Sequence, residues 1–363
     1  MNQQPIILIL FLLLTATCFG QDADSLILSA NKLTGEAQVA AFEKIGLHFY
    51  NQNFTIKAKE YFKKSLQAAE AINDTLGQMN ALKELLRTAY HKEDSVALSM
   101  EYAGRLEELS VEKNDKLMQA YVLHHYGRAN KENLDKSIQW LKRALKIYED
   151  LDKKKSASIV YRELGNALLD TKPSEAFMYF QKHFQLAKEL DNQEDIHLAR
   201  SNISSALIAM KQYEDAREFC TRNIEIAEKA NDPDFLAYNY LLIGISYKKE
   251  KNYSKAIEYA MKGKEICEAN DLMDKKQYTY QLLKEIYNER GNYTEAFEFF
   301  AKEKQMEAAL EKEKAVMEIN RINAEHELEK RMQEIEAFKK ITYYRNLAKN
   351  AGLVLLGIIA FVL

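Results

Sequence analysis

The feature that most constrains this chain is a fixed interval. Gln212-Tyr213-Glu214-Asp215-Ala216, Asn252-Tyr253-Ser254-Lys255-Ala256 and Asn292-Tyr293-Thr294-Glu295-Ala296 stand 40 residues apart. Stepping back by 40 or 39 residues reaches Ala176, Ser137, Leu98 and Ala58. Four residues after each anchor stands a mostly apolar side chain: Phe62, Tyr102, Leu141, Phe180, Cys220, Ala260 and Phe300. That spacing puts anchor and follower on one face of a helix. Upstream, Ile45-Gly46 before Phe49, Leu164-Gly165 before Leu168 and Ile243-Gly244 before Tyr247 mark an earlier helix in the same units. A helical pair repeated at fixed period cannot bury its apolar face alone, so neighbours must stack.

Composition agrees. With 47% hydrophobic residues, 12 Gly and 3 Pro, the chain is too apolar for disorder and too poor in turn-formers for a many-stranded β protein. The fold class is all-α. Asn-Asp pairs recur between units at Asn73-Asp74, Asn114-Asp115, Asn231-Asp232 and Asn270-Asp271, where they can end one helix and cap the next. Pro233 fits the first turn of the helix that follows, and Pro173 falls in a turn within the fourth unit.

These residues resemble the tetratricopeptide repeat, a large-Gly-x-x-aromatic helix followed by an Ala-x-x-x-Phe helix. The resemblance covers about residues 36–300, firm in the last three units and degenerate in the second and third. There Leu98 and Ser137 replace the small anchor, and Gly127 is out of step by two. It implies an α-solenoid of about seven hairpins over residues 21–300. Ala58, Ala176, Ala216, Ala256 and Ala296 are its structural anchors, set where paired helices press closest, with aromatics filling the gaps between neighbours.

The flanks differ in character. Ile6 to Leu14 is an unbroken apolar run followed by Thr15-Ala16-Thr17-Cys18-Phe19-Gly20. Residues 1–20 read as a secretory signal peptide, with an uncleaved anchor or a lipid anchor on Cys18 as alternatives. Residues 301–348 read as a long charged helix, and 302–348 as a coiled coil that forms a homodimer, with Leu328 and Ile335 one heptad apart. Residues 349–363 end in Ala-Gly-Leu-Val-Leu-Leu-Gly-Ile-Ile-Ala-Phe-Val-Leu, which reads as the start of a transmembrane helix.

Candidates for chemistry are few. The net charge of -3 carries no block of one sign, so nucleic acid is not an expected partner. Cys220 and Cys267 lack a CxxC spacing and read as small buried hydrophobes. Adjacent His124 and His125 point about 100° apart on a helix and cannot share a metal there. Ala324-Glu325-His326-Glu327-Leu328 is faintly similar to the phospho-accepting box of sensor kinases, but no Pro follows, and His326 reads as a solvated helix residue. No cofactor is expected, and the chain reads as a binding protein, not an enzyme.

In the resembled family the first helix of each unit lines a concave groove. Spacing from the anchors puts Lys83, Arg87, Tyr90, Tyr121, His124, Arg128 and Arg162 there. Basic groups interleaved with tyrosines suit a protein or peptide partner, acidic or C-terminal in character. The order of signal, repeats, charged helix and membrane-directed run resembles the extracytoplasmic half of bacterial membrane sensors, of the histidine kinase or helix-turn-helix regulator type. The expectation is an exported, membrane-anchored scaffold that binds a peptide and takes part in signal transduction. A stand-alone periplasmic adaptor and a fragment of an enzyme with its catalytic domain beyond Leu363 remain the alternatives.

Overall fold

The computed structural model describes residues 29–88, 96–130 and 133–309, with single positions outside these stretches. The leader (1–20), Tyr90, His326, Leu328, Ile335 and the apolar end (349–363) lie outside them, as does most of the expected coiled coil. Everything described is helix or short turn, with no strand among the described residues. Residues up to 88 belong to one compact body and those from 96 to 309 to another.

The first body holds α1 (Glu36–Asn51), α2 (Thr55–Ala71) and α3 (Thr75–Thr88), each packed on the other two. The second begins with α4 (Val96–Glu112) and continues through α5 (Lys116–Ala129), α6 (Leu134–Asp150), α7 (Lys154–Leu168) and α8 (Pro173–Glu189). Then come α9 (Gln193–Ala209), α10 (Tyr213–Ala230), α11 (Pro233–Lys249), α12 (Tyr253–Ala269), α13 (Met273–Arg290) and α14 (293–309). In the second body, from α4 to α13, each helix packs on the next, and α9, α11 and α13 also touch in sequence. From α5 onward this is a tetratricopeptide-like solenoid, in which each odd-numbered helix opens a unit and the even-numbered helix after it closes it. In the first body α1 and α2 form a hairpin of the same kind.

The turns follow from a few residues. After α10, Asn231 takes the left-handed conformation at φ 50°, and the Asp232 N–H closes on the Ala227 carbonyl at 2.9 Å. The Asp232 carboxylate then accepts the Phe235 N–H at 2.9 Å and caps α11, whose first residue is Pro233. Asn73-Asp74 and Asn114-Asp115 do the same, accepting from Gly77 and Met118 at 3.0 Å each. One residue reverses the chain and the next caps the new helix. Asn270-Asp271 is shifted by one: Asp271 takes φ 52° and Leu272 sits at the cap without a side-chain bond. Lys211 and Lys251 hold the left-handed position at φ 63° and 61°, where a Cβ is strained.

Within a unit the two helices meet where the first is smallest. A Cβ added to Gly46 would stand 2.5 Å from the Phe62 ring, one on Gly127 would stand 2.6 Å from Leu141, and one on Gly165 would overlap the Phe180 ring. Phe62, Leu141 and Phe180 are the followers of Ala58, Ser137 and Ala176, so glycine and follower are partners across the hairpin. Gly127, two positions off the expected place, still meets its follower, because the span from Gly127 to Ser137 is correspondingly short. In the sixth unit the follower is Ala260, and Gly244 has more room, with 3.3 Å to the nearest atom.

The last unit departs from expectation. Its small position is taken by Lys284, and Phe300 is 41% exposed while Phe299 is buried at 7%. The lysine, whose Nζ reaches Glu303 at 2.6 Å and lies 5.8 Å from the Phe300 ring centre, fills the place a ring would occupy. Phe300 is therefore not the core residue its spacing suggests.

One buried polar pair is not part of this repeat logic. His125 on α5 and Ser99 on α4 face each other at 2.7 Å with both residues buried. Burial first, then the neighbouring Arg128 and His124, pull the His125 pKa down from 6.5 to about 4, so the ring is neutral at pH 7.

Four expected outcomes test this packing. Gly165→Ala should lower stability by about 1–3 kcal/mol through overpacking against Phe180. Gly244→Ala should cost clearly less than Gly165→Ala, because its Cβ would crowd the Ala256 carbonyl at 3.3 Å without overlapping a ring, and Ala is the better helix former. Lys251→Gly should raise stability by about 1 kcal/mol by relieving the left-handed strain, read as a higher denaturation midpoint. For His125, the unfolded chain binds the proton more tightly than the folded one. The folded state therefore loses stability as pH falls from about 6.5 to about 4, on the order of 3 kcal/mol over the window. Denaturant titrations across that range should show His125→Gln flattening the loss; an unchanged slope would contradict the buried neutral ring.

Candidate functional site

A concave cavity lies in the second body, on the first helices of its last three units. Relative to Ser204, Gly244 and Lys284, the positions six residues earlier are Leu198, Tyr238 and Tyr278. Those three residues earlier are Ser201, Leu241 and Gln281, and Lys248 stands four after Gly244. All seven line one cavity of about 1010 Å³ between α9, α11 and α13, as do Ile245 and Glu285. Helical periodicity explains the convergence: Ile243, Gly244 and Leu283 turn into the core, so residues on the other face of each helix must turn into the groove.

The floor is apolar. Leu241 and Leu282 are buried at its base, while Tyr278 and Leu198 keep 61% and 38% of their surface exposed toward the open side. The walls are polar, and their charges are matched from helix to helix. Lys248 Nζ lies 2.5 Å from Glu285 and 3.2 Å from Glu289. Burial opposes the Lys248 charge, yet hydrogen bonding and attraction from the two glutamates hold its pKa above the usual lysine value. Lys275 pairs with Asp234 at 3.3 Å and sits 5.7 Å from the Tyr238 ring centre. His197 stacks on Phe235, with ring centres 4.3 Å apart, and its Nδ1 meets the Asp232 carboxylate at 2.9 Å. Asn202, also in the lining, has its amide nitrogen buried without a hydrogen-bond partner.

The basic residues expected to line a groove sit in earlier units and are already engaged. Lys83 and Arg87, in the first body, both reach Glu84, at 3.2 and 2.6 Å, and the Arg87 guanidinium lies 4.0 Å from the Tyr50 ring centre. In the second body, His124 and Arg128 on α5 share Glu163 of α7, at 2.7 and 3.3 Å. Tyr121 stands on the same helix. Arg162 of α7 reaches Asp195 of α9 at 3.5 Å, where His183 also approaches at 3.6 Å. These side chains pair with carboxylates of their own or the next unit's first helix, so each basic group counted from the spacing comes with an acidic partner. The carboxylate partners, placed on the neighbouring first helix, were the signal that spacing from the anchors alone overlooked.

The anchors occupy the core: Ala58, Ala176, Ala216 and Ala256 have no exposed surface and Ala296 has 7%. Cys220 is buried beside Ser204, and burial pushes its thiol up to about 12. Cys267 is buried as well, with its thiol also raised by burial. Among the described residues no cluster of His, Cys, Asp and Glu could hold a metal ion, and no helix is long and apolar enough to cross a membrane.

Comparison with known proteins agrees with the geometry. Residues 195–269 match the tetratricopeptide repeat family. No curated protein sequence matches the chain. Among solved structures it resembles the apo form of the quorum sensor NprR from B. thuringiensis, at TM-score 0.61 and 16% identity, covering 82% of this chain and 84% of that one. It also resembles a STAND signal-transduction ATPase with a tetratricopeptide repeat sensor from Pyrococcus horikoshii, at TM-score 0.60 and 17% identity. That likeness covers 77% of this chain, which spans only 44% of the ATPase. A third resemblance is to the Rap conjugation gene regulator of plasmid pLS20 in complex with the Phr* peptide, at TM-score 0.50 and 17% identity over 76% and 75% of the two chains. At such identities the likeness speaks for the fold, which is that of a tetratricopeptide-like helical repeat scaffold.

Proposed function

We propose that the α9–α11–α13 groove binds a short segment of another polypeptide and that the chain acts as a protein- or peptide-binding scaffold. The observation that carries this reading is the single cavity of about 1010 Å³ built from equivalent positions of three successive first helices. It stands at the upper end of the roughly 300–1,000 Å³ of small-molecule sites, which suits several linked residues better than one compact metabolite. Its apolar floor and the unpartnered Asn202 amide supply the two things an extended segment needs, side-chain burial and a donor for a backbone carbonyl. The pLS20 regulator, described with a bound peptide, gives the reading a parallel on a similar fold. The role is binding and not catalysis.

The same proposal puts the array on the extracytoplasmic side of a membrane, as the sensor part of a signalling protein. Support comes from the order of the apolar run at 6–14, the repeats, the charged stretch and the apolar residues 351–363. Homodimerisation through 302–348 belongs to this reading too. Cleavage of the repeats by protease added to spheroplasts is the expected result, and protection that is lost only on lysis would overturn the topology.

The groove itself is tested by substitution at its exposed lining. Tyr278→Ala and Leu198→Ala should each weaken a peptide selected from a random display library by at least tenfold, in the range of interface hot spots at about 2 kcal/mol. Melting should stay nearly unchanged for Tyr278→Ala, at 61% exposure, and fall modestly for Leu198→Ala, at 38%. Selected peptides whose affinity ignores both substitutions would place binding elsewhere.

A further inference from the structure

The groove's own charges say what kind of segment it takes, an inference that rests on the groove reading above. Four carboxylates, Glu194, Asp232, Asp234 and Glu285, face three lysines and His197 around the cavity. Lys248, Lys275 and His197 each already hold a carboxylate of the same wall, as described. An incoming acidic side chain therefore finds Lys248, Lys275 and His197 engaged, with only the exposed Lys249 left to it. To use Lys248 it must displace Glu285 and Glu289 and leave them unpaired in a half-buried site, where a lone charge is costly. It also meets the exposed negative charge of Glu194.

What the cavity does offer is uncovered apolar surface. Leu198, Tyr238 and Tyr278 form a row with one large side chain per unit, above Leu241, Ile245 and Leu282. Tyr278 presents 61% of its surface without any side chain over it. Packed helices lie about 8–10 Å apart, so three of them span roughly 16–20 Å. An extended chain covers that distance in about five or six residues at roughly 3.3 Å each.

We propose that the α9–α11–α13 groove is selective for a peptide segment of about five or six residues that carries aliphatic or aromatic side chains and no net negative charge. The apolar row supplies the affinity, and the closed ion pairs of the wall discriminate against acidic sequences. This differs from the acidic partner that the basic residues of the earlier units suggested.

The experiment uses the full chain and two synthetic pools of fluorescent hexapeptides, read by anisotropy. One pool is rich in Leu, Phe and Tyr with no net charge, and the other has Asp and Glu at half its positions. The neutral apolar pool should bind roughly tenfold tighter, the equivalent of about 1.4 kcal/mol. Its affinity should change less than about twofold between 0.1 and 1 M salt, while the Debye length shrinks from about 10 to about 3 Å. Glu285→Gln, which leaves Lys248 with Glu289 alone, should raise the affinity of the acidic pool and narrow the gap. Tighter binding of the acidic pool with steep salt dependence, lost in Tyr278→Ala, would overturn the selectivity and leave the groove standing. Binding of either pool that Tyr278→Ala and Leu198→Ala do not alter would overturn the groove reading itself, and this inference with it.

Discussion

Three of the described hairpins are set by one contact: a residue without a side chain on the first helix of a unit, met by a bulky side chain on the second. Gly46 with Phe62, Gly127 with Leu141 and Gly165 with Phe180 are three instances of the same crossing. The missing Cβ lets the backbones approach, and the ring or branched side chain fills the space that approach leaves. Close-packed interiors tolerate neither a gap nor an overlap at such a point. With the crossing fixed, the remaining faces of the two helices can only bury themselves on neighbouring units. The apolar clusters accordingly run across hairpins, from Ala120 to Leu164, from Leu168 to Ile243 and from Leu241 to Phe299.

The complementarity can be exchanged without being lost. In the sixth unit Gly244 faces Ala260, and in the fifth Ser204 faces Cys220, so a small follower goes with a looser or slightly larger partner. Lys284 of the seventh unit breaks the rule and turns Phe300 outward. The exchange explains why Cys220 and Cys267 can stand in positions where other units use apolar carbon. A buried thiol whose ionisation is suppressed by burial packs as a small hydrophobe.

Much of the fold was legible because it depends on local spacing. The 40-residue interval located Ala58, Ser137, Ala176, Ala216, Ala256 and Ala296 in the core. It missed by one in the second unit, where Ser99 is buried and Leu98 only partly so. The Asn-Asp pairs foretold the turns at three of four places. The slip at Asn270-Asp271 was not legible, since either residue can adopt the left-handed conformation and only the packing of α13 chooses. Nor was the exposure of Phe300, which depends on a residue sixteen positions upstream. For the groove, the interval named the right face of the first helix but not the units that open into a cavity. Lys83, Arg87, His124, Arg128 and Arg162 were read as free cations because their carboxylate partners, Glu84, Glu163 and Asp195, mostly lie beyond the local window. Leu198, Tyr238 and Tyr278 occupy the same register and needed only the same interval carried three units further.

Those ion pairs connect stacking to recognition. His124 and Arg128 reach Glu163, Arg162 reaches Asp195, and Lys248 reaches Glu285, in each case from one first helix to the next. A charge at the inner face can be satisfied by a neighbour there, and partial burial makes an unpaired one expensive. Each pair thus aligns two units and, in the same contact, cancels the field that a charged ligand would feel. The last three units add large apolar groups between the pairs, Leu198, Tyr238 and Tyr278, that line one cavity. Stacking neutralises the groove, and the side chains left over from stacking give it its chemistry.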